Sequence, residues 1–238
     1  YKVNISKGNF ESKARDFRYE KLSSYAIKHN IKNIFTAHHR DDQIETLFMR
    51  YKNNSDWISM LGIREQLGLF QRPFINIKKN ILLKYASQKK LKWVEDLTNA
   101  DTSFLRNKVR HILLDEEKKN NINIEKDLLK ISLLNFERYN KVSDRIKKYI
   151  KNNFPLNHSF YFISNEVSSM FSKDELKLFY QYFIKIIFHE SVNSTRDHWK
   201  NLHDFLIKAK TGSKFYLNKN FIIYMDRQKH FLMTRIYY

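Results

Sequence analysis

Three groups of side chains in this sequence combine reactive residue types with close spacing. The first is His38-His39-Arg40-Asp41-Asp42-Gln43-Ile44-Glu45. Asp42 and Glu45 lie three residues apart, so at a helix start their carboxylates share one flank. With Asp41 and the imidazoles they could hold a Mg²⁺–nucleotide complex or a substrate ammonium group. A purely structural reading competes: a capping box with Asp42 as the cap and Glu45 reaching back to free amides. The second group is Arg106-Asn107-x-x-Arg110. Its guanidinium groups, one helical turn apart, match a phosphate or an RNA backbone, although a solvated basic face would look the same. The third is Trp93-x-Glu95-Asp96-x-x-Asn99, followed by Asp101, which fits either a turn or a further wall of the same site. The other histidines show no metal-ligand spacing, and no protein-held metal site is expected.

These groups need elements to position them. Apolar spacing near 3.6 predicts a helix from about Phe10 to Asn30, through Ala14, Phe17, Leu22, Tyr25 and Ala26. The run Ile34–Ala37 reads as a buried strand, and a second helix follows with Ile44, Leu47, Phe48 and Tyr51 on one face. Helix, strand, turn, helix is a piece of an α/β sandwich, in which chemistry sits at the carboxyl ends of strands. A strand over Leu69–Ile75 carries Arg72-Pro73, and a helix over Ile77–Lys90 aligns Ile77, Ile81 and Tyr85. Leu91–Glu95 reads as another strand, and Asp101-Thr102-Ser103 as caps for a helix to Leu114. After a charged, Asn-rich stretch over Asp115–Asn123, helices span about Ile124–Lys151 and Lys173–Phe188. The tail from Lys214 alternates as strands, with turns at Asn218-Lys219-Asn220 and Gln228-Lys229. Two domains are expected, meeting between Asp115 and Pro155.

Composition narrows the function classes. The 238 residues are 42% hydrophobic and 15% aromatic, enough for a packed core. Forty-four Lys and Arg against 25 Asp and Glu give a net charge of +19, which suits a polyanionic partner. A Lys-, Asn- and Ile-rich genome would raise the charge equally well. With no cysteine there is no disulfide, zinc ribbon, iron–sulfur cluster or thiol catalysis. Four glycines and no Gly-Gly pair leave no glycine-built phosphate cradle within the chain. No apolar run approaches a membrane span, and no signal peptide opens the sequence, so a soluble, cytoplasmic protein is expected. Tyr1 is not an initiator Met.

Taken in order, five motifs resemble those of the tRNA(Ile)-lysidine synthases, members of the pyrophosphate-loop ATPases. They are Ala14-Arg15-x-x-Arg18-Tyr19, Ala37-His38-His39-x-Asp41-Asp42-Gln43-x-Glu45-Thr46, Arg72-Pro73-Phe74, Trp93-x-Glu95-Asp96-x-x-Asn99-x-Asp101 and Arg106-Asn107-x-x-Arg110-His111. The resemblance covers about residues 10–115. Further on, Ser194-Thr195-Arg196-x-His198 through Gly212 and the tail are similar to the family's smaller RNA-contacting domain.

The resemblance implies an α/β, adenine-nucleotide α-hydrolase-like (Rossmann-like) parallel sheet, incomplete at its N-terminus, followed by a smaller α+β domain. The implied layout is a partial ATP-dependent catalytic domain at 1–115, a helical connection at 116–153 and a tRNA-contacting domain at 154–238. The implied reaction uses ATP and Mg²⁺ to adenylate C2 of the wobble cytidine of isoleucine tRNA with a CAU anticodon. Free lysine then displaces AMP, giving lysidine, so that the tRNA decodes AUA in place of AUG. By resemblance, His39, Asp42, Glu45, Arg106 and Arg110 are catalytic. Asp42 and Glu45 would hold the lysine ammonium or Mg²⁺, His39 would act near the α-phosphate, and the two arginines would stabilise charge on the phosphate or the adenylated base. Asp41, Arg72, Glu95, Asp96, Asn99 and Asn107 would bind substrate or nucleotide. Whether the molecule forms a homodimer is left open.

The sequence departs from the family in two places. The family's Ser-Gly-Gly-x-Asp-Ser loop is absent and is expected upstream of Tyr1, so this chain alone should bind ATP poorly and not turn over. Asn53-Asn54-Ser55 stands where the family has Gly-Ser-Gly. The additional C-terminal domain of longer members is not expected. Two alternatives stay open: a non-catalytic tRNA-binding remnant, and a sulfur-inserting tRNA enzyme of the same superfamily, against which the lack of cysteine argues.

Overall fold

Helix starts and short ladders, more than long strands, set the positions that matter here. The computed structural model describes residues 10–94, 109, 111–113, 115, 123–155, 160–164, 166–192, 194–227 and 229–234. The chain divides into two units, Tyr1–Asn135 and Phe136–Tyr238.

In the first unit α1 spans Phe10–Lys28 and buries Ala26. Its end turns at Asn30, whose φ of +54° suits an asparagine. Tyr25, expected on the buried face, is exposed. The strand β1 is only Ile34–Phe35, shorter than the expected Ile34–Ala37, although the Thr36 N–H still donates to the Gln71 carbonyl at 2.9 Å. It pairs parallel with β3 (Phe70–Gln71), and β2 (Gln66–Leu67) pairs antiparallel with β3, in the order β1-β3-β2. The expected strand over Leu69–Ile75 stops at Gln71. Pro73 has no N–H for a ladder, and the Ile75 N–H turns back to the Arg72 carbonyl at 3.1 Å.

Helix α2 spans Arg40–Lys52. Its Ile44, Leu47 and Phe48 are buried with Met60, Val109, Leu113 and Leu128 in one apolar cluster. Tyr51, expected on that face, is exposed. The helix closes on the turn where the family carries Gly-Ser-Gly. Asn54 takes the left-handed conformation there (φ +47°), and the Ser55 N–H reaches the Arg50 carbonyl at 3.0 Å. Helix α3 spans Lys79–Gln88 and starts after Lys78, two residues later than expected. Its Ile81 and Tyr85 are 56% and 57% exposed, so periodicity identified a helix but not a covered face. Leu91–Val94 forms no strand and is exposed, which corrects the expectation there.

Helix α4, Ile124–Asn153, crosses the division between the units. In the second unit its Val142, Ile146 and Ile150 fall four residues apart and are buried. The helices α5 (Glu166–Met170), α6 (Lys173–Phe188) and α7 (Arg196–Lys208) follow β4 (Phe160–Ser164). A capping box opens α6, where the Ser172 N–H donates to Glu175 Oε2 at 2.9 Å. The strands β5 (Lys214–Tyr216), β6 (Phe221–Met225) and β7 (Lys229–Thr234) complete an antiparallel sheet in the order β4-β7-β6-β5. Phe221, Ile223 and Met225 alternate inward along β6. Phe154 meets Phe183 edge-on at 4.8 Å within a core of aromatic rings. The turn at Asn218 forms as expected, its Oδ1 accepting the N–H groups of Asn220 and Phe221 at 2.7 and 2.9 Å. Lys229, expected in a turn, already belongs to β7.

Candidate active site

β1 leads into Thr36-Ala37-His38, and α2 opens immediately beyond. The Arg40 N–H donates to the Ile77 carbonyl at 2.9 Å, which fixes where the helix begins. His39 is therefore the N-cap residue, and its N–H donates to Asp42 Oδ2 at 2.9 Å. A capping box does form, but three residues earlier than the Asp42–Glu45 box the spacing suggested. Asp42 also lies 3.5 Å from His39 Nδ1. Asp41 Oδ2 is 4.0 Å from the same ring nitrogen and accepts the Lys79 N–H at 3.3 Å, at the first turn of α3. Glu45 lies one turn further along α2 and is 2% exposed.

Beside this helix start is a cleft of about 350 Å³. Arg15, Arg18, Tyr19 and Leu22 of α1 line one side, and Thr36, Ala37, His38 and Asp42 the other. Thr36 Oγ1 stands 2.9 Å from His38 Nδ1, so a hydroxyl orients that imidazole. The arrangement places two guanidinium groups, an imidazole and one carboxylate around one space. It suits an anion that also presents a cationic or hydrogen-bonding end. Arg72 is buried just behind α1, its Nη1 donating to the Arg64 carbonyl at 2.7 Å.

Of the residues expected at the site, Asp42 lines the cleft, while Asp41, His39 and Glu45 surround the helix start. Glu95, Asp96, Asn99, Arg106, Asn107 and Arg110 lie outside the described residues. His38 was expected only as one of two adjacent imidazoles, and Arg15, Arg18 and Tyr19 were not singled out by their chemistry. The available signal was the spacing Arg15-x-x-Arg18-Tyr19, which puts two cations and a phenol on one helical flank. Among the described residues no group of three or more His, Asp or Glu is placed to hold a metal ion.

The loop leaving α2 is tied to the same helix. Gln43 Oε1 accepts the Ile63 N–H, and Arg50 donates to the carbonyls of Ser59 and Gly62. Burial holds the Arg50 guanidinium below its usual value, with Asp56 opposing the shift. Gly62 has φ +72°, and a Cβ there would meet Gln43 Oε1 at 2.5 Å. Three bonds from two positions of α2, about two turns apart, thus hold a loop whose Gly62 no other residue type could replace as easily. Arg40 and Lys78 both pair with Glu125, at 2.7 and 3.0 Å, tying α2 and the start of α3 to α4.

Residues 2–117 match the family model of the PP-loop domain, which implies an adenine-nucleotide α-hydrolase fold. Three curated relatives are named tRNA(Ile)-lysidine synthase. One from Treponema denticola is 40% identical over 108 residues, 45% of this chain and 24% of that protein. One from Mycoplasma mycoides is 29% identical over 246 residues, 92% of this chain and 57% of that protein. One from Mycoplasmopsis pulmonis is 29% identical over 224 residues, 91% of this chain and 73% of that protein. The chain thus spans less than two thirds of the first two relatives. No helix among the described residues is long and apolar enough to cross a membrane. Residues 2–117 thus match a PP-loop domain, and most of the chain is similar to proteins named tRNA(Ile)-lysidine synthase.

Proposed function

We propose that the protein carrying this chain ligates lysine to C2 of the wobble cytidine of isoleucine tRNA with a CAU anticodon, at the expense of ATP. The observation that carries this reading is the cleft at the carboxyl end of β1. Arg15, Arg18, His38 and Asp42 meet there, inside the segment that matches the PP-loop domain. The donor set fits a nucleotide triphosphate, because two guanidinium groups face a space with a single carboxylate at its edge. Mg²⁺ would arrive with the triphosphate, since Asp41 and Asp42 already accept backbone N–H groups. We read β1 and β3 as part of the family's parallel sheet, and residues 154–238 of the second unit as the smaller tRNA-contacting domain.

On this reading the base is first activated: its O2 bonds to the α-phosphorus of ATP and pyrophosphate leaves. Arg15 and Arg18 would hold the phosphates, joined by Arg106 and Arg110 as charge develops. Asp42 would bind the ammonium group of lysine, with Glu45 as its buried neighbour on α2. The lysine amine then bonds to C2, AMP leaves with the activated oxygen, and the amine sheds a proton. His38 and His39 stand near enough to the helix start to handle that proton. Glu95, Asp96, Asn99 and Asn107 complete the wall by resemblance, and Arg72, expected there too, stands buried behind it.

The test is transfer of labelled lysine, with ATP, to unmodified isoleucine tRNA bearing CAU and to methionine tRNA. It is run with this chain and with the chain joined to an upstream Ser-Gly-Gly-x-Asp-Ser loop. Label confined to the isoleucine tRNA, and requiring the loop, is the expected result. Tight tRNA binding without label in either form would contradict the ligase reading.

A further inference from the structure

Two cations meet at one phenol. Arg15 Nη2 donates to Tyr19 Oη at 3.3 Å, and Arg72 Nη2 donates to the same oxygen at 3.4 Å. The Arg15 guanidinium lies 4.9 Å from the Tyr19 ring centroid, and the ring packs on Phe70 at 4.4 Å. A phenol oxygen has two acceptor positions and one O–H. With guanidinium N–H groups on both acceptor positions, the O–H is left to donate. Tyr19 lines the cleft, so that donor has an anion site within its reach.

Arg72 adds an independent observation. It is 2% exposed, and its Nε has no hydrogen-bond partner among the described residues. No described carboxylate pairs with it either. Placed at hydrogen-bond distance from Tyr19 Oη, this buried charge raises the positive potential beside the cleft. Hydrogen-bond donors flanked by charge are also strengthened toward an anion.

We propose that Tyr19 is an anion-binding residue of the cleft, whose O–H donates to a phosphate oxygen of the nucleotide. Arg72 is the positioning residue that fixes it from behind. The inference rests on the nucleotide reading of this cleft, and it names the phosphate group as the part of the nucleotide that Tyr19 contacts.

The experiment measures binding of pyrophosphate, ATP and adenosine to the chain joined to an upstream Ser-Gly-Gly-x-Asp-Ser loop, as parent, and to its Tyr19→Phe, Arg72→Lys and double variants. Phenylalanine keeps the ring on Phe70 and removes only the hydroxyl. Tyr19→Phe is expected to weaken pyrophosphate and ATP by about 10-fold, to leave adenosine unchanged and to melt within a few degrees of the parent. Arg72→Lys keeps the charge but not the fork, so it should also weaken pyrophosphate. Added to Tyr19→Phe, it should weaken it by much less than on its own, because both act through one hydrogen bond. Unchanged pyrophosphate binding in Tyr19→Phe, with Arg18→Ala weakened, would overturn the role of Tyr19 alone. A parent chain that binds neither pyrophosphate nor ATP would overturn the anion cleft together with this inference. Pyrophosphate binding that depends on Tyr19 in a protein that never transfers lysine would support the inference and sink the ligase reading instead.

Discussion

Asp42 links helix stability to the chemistry of the cleft. It accepts the His39 N–H at 2.9 Å, and it faces the space lined by Arg15, Arg18 and His38. Asp42→Ala is expected to cost about 1 kcal/mol through the lost cap and to raise the KM for lysine more than that for ATP. Denaturant melts and steady-state lysine transfer would check the two effects separately. Its neighbours show what spacing cannot decide. The sequence has two adjacent histidines, and which one enters the cleft depends on where α2 begins. That is set by the Arg40 N–H bonding to the Ile77 carbonyl, 37 positions away along the chain. His38, held by Thr36, lines the cleft, whereas His39 caps the helix. His38→Ala is therefore expected to lower kcat/KM for lysine transfer by about 10²-fold, and His39→Ala by less. Equal losses in both variants would place the two rings on the same task.

Elements with a strong apolar period and good caps were legible. The helices α2, α4 and α6 stand within a few residues of their expected spans, since Leu47, Ile146 and Phe183 repeat at helical spacing and end in the core. Short strands were legible only in part: β1 and β3 fall inside their expected spans but are shorter, and β2 and β4 were not expected. β1 and β3 are two residues each, so their existence depends on a pairing partner that composition does not reveal. The helix α7 was missed although Thr195 caps it, because Ser194-Thr195 was read as part of a motif rather than as a start signal. Tertiary packing settles the energetic weight of each element. Phe183 is fully buried beside Phe154, so Phe183→Ala should destabilise the second unit by about 3–5 kcal/mol. Gly62→Ala should cost about 1–3 kcal/mol, because its backbone region excludes a side chain and Gln43 fills the space. If Gly62→Ala melts like the parent, the loop after α2 is not held as described.

At the scale of the whole molecule the charge of +19 was legible from composition, but not its use. If the second unit and the cleft together meet tRNA phosphates, affinity should fall by about 10³-fold between 50 and 200 mM salt for six or more contacts. A slope near zero in a binding titration would deny that role. The cleft itself was half legible. Asp42 follows from its motif, whereas Arg15, Arg18 and Tyr19 join it only because α1 packs beside the end of β1. Six of the eleven residues expected at the site, from Glu95 to Arg110, fall outside the described part of the chain. The central claim is that this cleft activates a tRNA base with ATP before lysine arrives. The most direct measurement uses ATP labelled at the α-phosphate, isoleucine tRNA bearing CAU, and no lysine, with the chain joined to an upstream glycine loop. The account predicts label on the tRNA, its release as AMP once lysine is added, and neither event in Arg18→Ala. Label that appears on lysine instead, or on tRNA equally well in Arg18→Ala, would contradict it.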